Sequence, residues 1–120
     1  MGLTIGAHLL EEPMKRIGIL ALSLLLPLSV AADDAWRDKA IDLIRKEKVV
    51  VEAMFPQRIS LWVSVRDDGS RRDGLADYMC LLLSEAGMPK GDLVIIRILD
   101  AAALARDEMT ELGKSECSLG

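Results

Sequence analysis

The chain has 120 residues, 51% hydrophobic and 28% charged, which leaves room for one domain and excludes repeat arrays and multidomain enzymes. Fifteen basic residues against nineteen acidic ones give a formal net charge of -4, the wrong sign for holding a phosphate backbone, so nucleic acid is not an expected partner. The single histidine, His8, lies in a stretch read below as removed, which leaves the rest without a side chain that titrates near neutrality by default and disfavours most hydrolase and zinc chemistry.

Met14 to Ala32 reads MKRIGILALSLLLPLSVAA: two cations, an apolar run from Ile17 to Val30, then small residues, the order of a secretory signal peptide. The run is 14 residues long, short of the roughly 18 to 20 that a spanning helix needs, and Pro27 interrupts its last turn, so no permanent membrane anchor is expected after cleavage. Val30 with Ala32, or Ser29 with Ala31, suits a signal peptidase, which makes Asp33 or Ala32 the first mature residue. No cysteine follows the run, so lipid attachment is not expected. Glu11 and Glu12 are out of character for a leader, and Met14 is the expected initiator. The organisation expected is therefore an N-terminal extension and cleaved signal peptide over residues 1–32, the signal proper being 14–32, followed by a single small α+β domain over 33–120. The location expected is periplasmic or secreted.

Asp33 or Asp34 is placed to cap a helix from about Asp34 to Glu47, whose apolar positions Trp36, Ala40, Leu43 and Ile44 recur at helical spacing. Val49 to Met54 fits either an extended helical stripe or a strand. Three successive valines favour a short strand, with Pro56 ending it. Ile59, Leu61, Val63 and Val65 alternate with Ser60, Trp62, Ser64 and Arg66, the period of a strand with one buried face. Asp67, Asp68 and Gly69 make a turn, and Ser70 with Asp73 forms the S-x-x-D pattern of a capping box, so a helix is expected from there to about Ala86. It buries Leu75, Met79, Leu82 and Leu83 and stops at Gly87, with Pro89 just beyond. Leu93 to Leu99, LVIIRIL, reads as a central strand covered on both faces, reached by a β-α-β crossover that sets it parallel to the Ile59 strand or separated from it by a third. Asp100 then caps an alanine-rich helix from Ala101 to about Glu111, ending at Gly113. The polar tail KSECSLG is expected to wander unless it is tied down. The order helix, strand, strand, helix, strand, helix predicts a small two-layer α+β sandwich.

Cys80 and Cys117 are the only cysteines. In an exported chain they are expected to pair, tethering the tail to the helix that bears Cys80 and adding about 3 to 4 kcal/mol on a loop-closure account. Without a histidine to activate Cys80, and without a C-x-x-C arrangement, a reactive thiol is the weaker reading. Two distant cysteines do not make a zinc site, no S-x-x-K occurs for serine chemistry, and the Arg66 to Gly74 acids do not alternate as a calcium loop requires. No metal or cofactor is expected.

Two features stand out as candidate binding sites. The segment RDDGSRRDG puts Arg66, Arg71 and Arg72 where a strand end meets a helix start, a place that suits an anion or an acidic contact, although a solvated, well-capped connection is the commoner outcome for such a segment. Trp62 shares a strand face with Ser60, Ser64 and Arg66, so it either packs against Trp36 or the helix layer or stands exposed as an anchor for a partner. Arg97 interrupts an apolar strand and needs a carboxylate, with Asp77, Glu85 and Asp100 in view, or solvent at the sheet's edge. The function expected is that of an exported soluble binding or accessory protein acting through protein-protein contact in the cell envelope. The alternatives are a small cofactor-free envelope enzyme cleaving cell-wall or glycan substrates, and a thiol-redox protein.

Overall fold

A computed structural model describes residues 34–120. The expected leader, its cleavage site and the initiator Met14 lie outside the described residues. A first helix, α1, runs to residue 45. It is followed by strands β1 (Val50–Gln57) and β2 (Ser60–Val65), helix α2 (Asp73–Ala86), strand β3 (Leu93–Asp100), a single turn of helix α3 (Ala101–Leu104) and strand β4 (Glu111–Ser118). The strands form one mixed sheet in the order β1-β2-β3-β4. β1 is antiparallel to β2, β2 is parallel to β3, and β3 is antiparallel to β4. The fold is the expected small α+β sandwich, with α2 making the β-α-β crossover between neighbouring parallel strands.

The alternation in β2 sends Leu61, Val63 and Val65 to one face, and Val94, Ile96 and Ile98 of β3 share it; all six are fully buried. Against them pack Ala40 and Ile44 from α1 and Ala76, Met79, Leu82, Leu83 and Ala86 from α2, which together with Ala53 and Cys117 make one contiguous core. Apolar side chains three and four residues apart lie on one side of a helix, and that spacing buries these two helices on the same sheet face. Trp36 meets Phe55 of β1 edge to face at 6.0 Å, and the Arg37 guanidinium lies 4.5 Å from the centre of the Trp36 ring while donating to the Arg58 carbonyl. α2 ends as its sequence requires: Gly87 takes the left-handed conformation at φ 105°, and the N–H groups of Gly87 and Met88 return to the last turn.

Cys80 on α2 and Cys117 on β4 form a disulfide, with Cα atoms 5.4 Å apart. Cys117 is fully buried, so the bridge fastens the last strand to the crossover helix from inside the core.

Five sequence expectations are corrected in whole or in part. Pro56 does not end the element after Val49; it lies within β1, where an edge strand has no outer partner to miss its N–H. The alanine-rich segment is helical only through Leu104, because the chain turns back at Asp107, which has a φ of 60°. The tail is tied to α2 by the disulfide, as expected, but it is not an irregular tether. From Glu111 onward it is the fourth strand, paired along the whole of β3. Arg97 stands beside none of Asp77, Glu85 and Asp100; it is on a central strand, half exposed, 3.5 Å from Glu111 of β4. β3 is correspondingly covered fully on one face and only in part on the other, where Ile95 and Arg97 are half-buried while Leu99 is buried and α3 folds back against β2 and β3. The Asp100 cap is present, its carboxylate accepting from the Ala102 N–H at 3.2 Å.

Candidate functional site

The loop between β2 and α2 carries the basic segment singled out in the sequence, and its local chemistry differs from a capping box. Asp67 and Asp68 accept the N–H groups of Gly69 and Ser70 respectively, two Asx turns in succession. The Ser70 hydroxyl donates to Asp68 and leaves the helix alone. The residue that caps α2 is Arg72, whose side chain makes no capping hydrogen bond to the helix. Asp73 accepts from the Arg71 guanidinium at 2.8 Å and from the Lys114 N–H of β4 at 3.0 Å. A partner from a distant strand has therefore taken the carboxylate that the local pattern would have turned back on its own helix. Both contacts hold the Asp73 carboxyl below its usual range, the Arg71 bond being the larger cause. Asp68 is lowered too, chiefly by the Ser70 hydroxyl and N–H.

This arrangement separates the three arginines. Arg71 is exposed and occupied by Asp73. Arg72 is largely covered: its side chain is 18% exposed and lies 3.3 Å from Asp68, one guanidinium nitrogen donates to the Arg66 carbonyl at 3.2 Å, and its Nε is buried with no hydrogen-bond partner among the described residues. The Arg72 N–H donates to the Leu112 carbonyl of β4, so the helix start is fastened to the sheet. Arg66 is exposed.

Arg66 and Arg72 meet across a groove of about 620 Å³ at the C-terminal end of β2, whose other walls are Asp68, Lys48 and the valine run 49–51 at the start of β1. Lys48 and the valines were not among the residues the sequence singled out for binding. Lys48 stands 18 positions before Arg66, and the antiparallel pairing of Val50 with Val65 is what brings the two ends together. A single sequence carries no direct signal for that proximity, which depends on how the two strands pair.

Trp62 does not line the groove. It sits on the sheet face opposite α1 and α2, half-buried, with Met54 of β1 and Arg97 of β3 as its cross-strand neighbours. Packing against Trp36 is corrected: the partner of Trp36 is Phe55. The sequence-marked residues thus fall into a groove pair, Arg66 with Arg72, and two positions apart from it, Arg71 and Trp62.

Three cations and one carboxylate around an apolar floor present a net positive surface on a chain of net charge -4. By charge, such a surface is complementary to anionic groups. No group of three or more acidic, histidine or cysteine side chains among the described residues is placed to hold a metal ion, and no described helix is long and apolar enough to cross a membrane. The chain matches no known family model, and no curated protein or solved structure is significantly similar to it.

Proposed function

We propose that this is an exported periplasmic or secreted protein of binding or accessory type, which acts through contact with a protein partner in the cell envelope and without catalysis or a cofactor. The observation that carries the reading is the groove of Lys48, Arg66 and Arg72, a basic recess on an acidic chain, built where a strand end meets a helix start. Export is supported by the order of charges, apolar run and small residues from Met14 to Ala32 and by the disulfide, which is characteristic of oxidising compartments. Burial of Cys117 favours a bridge with a structural role over a thiol reagent.

The test is capture from an envelope extract with the wild-type protein, with Ser70→Ala, and with Lys48→Glu combined with Arg66→Glu. The reading expects the double reversal to lose a partner that the other two retain, with its melting temperature unchanged, because both cations are exposed and neither is paired among the described residues. Equal recovery by all three removes the groove from the contact surface.

A further inference from the structure

We infer that the groove takes an extended, carboxylate-bearing segment of polypeptide, laid along the valine run 49–51 with its acids on Lys48 and Arg66; the inference rests on the contact reading above. Charge is the first argument. Arg45, Arg71, Arg72, Arg97 and Arg106 each stand beside a carboxylate, whereas Arg66 stands beside none among the described residues, and neither does its groove neighbour Lys48. Asp68 offsets only Arg72, so the recess keeps two uncompensated cations. Such a site selects carboxylates and disfavours a cationic segment.

The second argument is the strand edge. β1 ends the sheet, and an open edge is a template for another strand. Further along β1 that template is closed: the Ala53 N–H is taken by the Glu52 carboxylate at 2.8 Å, which Arg45 holds at 2.9 Å, and Pro56 has no N–H to offer. The Glu52 carboxyl is held below its usual range by those bonds, the Ala53 N–H first. At the start of the strand the Val50 N–H is held by the Glu47 carbonyl at 3.1 Å, while the register shifts between Val50 and Glu52 and the Val49 and Val51 side chains are exposed. The exposed valines and the uncompensated cations line one groove, so a bound segment can set apolar side chains on Val49 and Val51 while its acids meet Lys48 and Arg66, which fits an extended chain better than a compact anion.

The probe is a synthetic hexapeptide alternating glutamate and valine, titrated into the isotopically labelled, disulfide-bonded protein and followed by amide chemical shifts. The expected result is a saturable shift centred on Lys48, Val51, Arg66 and Arg72. Affinity should fall roughly tenfold for the glutamine counterpart, and by a similar factor in the Lys48→Glu, Arg66→Glu protein. Trp62→Ala should bind as the wild type does. Equal affinity for the glutamate and glutamine peptides overturns the inference. So do shifts centred on Trp62 and Ile95, or binding of phosphatidylglycerol vesicles with no binding of the peptide. If the double reversal loses its envelope partner and the glutamate peptide still does not bind, the acidic-segment inference fails and the contact reading stands.

Discussion

Gly113 of β4 lies directly beneath Arg72 at the start of α2, so close that a β-carbon at residue 113 would overlap the Arg72 carbonyl and stand 2.6 Å from the Asp73 nitrogen. The overlap is with backbone, which cannot swing aside as a side chain does. Gly113→Ala should therefore lower stability by about 1 to 3 kcal/mol, as overpacking does. Urea unfolding measures it as a lower midpoint at unchanged slope. A midpoint equal to that of wild type would mean that the helix start is not seated on the strand as described.

The bridge between Cys80 and Cys117 spans 37 positions and joins α2 to β4. Replacing both cysteines by serine should cost about 2 to 4 kcal/mol and open the last strand to proteolysis. The intact protein should weigh about 2 Da less than its reduced form, the two hydrogens lost on forming the bond. Two alkylatable thiols in the native protein would contradict the bridge.

Ser70 hydrogen-bonds Asp68 and does not cap α2. Ser70→Ala should consequently change stability by no more than about 0.5 kcal/mol, against the ~1 kcal/mol expected from a lost N-cap. Thermal and urea unfolding separate the two outcomes.

Asp73 has a folded-state carboxyl below its unfolded value, held there by Arg71 and by the Lys114 N–H. Between those two values the unfolded chain binds more protons, so the contribution is complete above the unfolded value, about 3.9, and is lost as pH falls through the folded one. Asp73→Asn should flatten the acid limb of the stability profile, read from urea midpoints between neutrality and roughly pH 3. An acid limb as steep as in wild type would contradict the pairing.

The parts of the fold legible in the sequence are those in which a residue's burial follows from its neighbours along the chain. Leu61, Val63 and Val65 alternate, Met79, Leu82 and Leu83 recur at helical spacing, and Gly87 marks the stop; the structure has β2, α2 and its end there. β4 was not legible because its inward positions include Gly113 and Ser115, and the residues that justify it, Leu112 and Cys117, are sparse. Its polar surface reads as a tail until α2 is known to lie across it. The capping box failed for a related reason: a local pattern at Ser70 and Asp73 was outcompeted by the Lys114 N–H, 41 positions away. In the candidate site, Arg66 and Arg72 were visible as charges, while Lys48 gained its place only from the β1-β2 pairing.

Processing is tested separately from binding. N-terminal sequencing of the exported protein should begin at Asp33 or Ala32, as the small residues at 29 to 32 require of a signal peptidase. A mature chain that keeps Ile17 to Val30 in the membrane would overturn the assignment to the periplasm or exterior.

Contact through the groove is tested most directly by a photo-crosslinking amino acid placed at Val51, inside the groove, and separately at Leu81, an exposed position on α2 away from it. In cells expressing the full chain, the Val51 probe should give a discrete protein adduct that Arg66→Glu diminishes, and the Leu81 probe should give none. An adduct at Leu81 alone, or one at Val51 that is undiminished by Arg66→Glu, would contradict recognition through Lys48, Arg66 and Arg72.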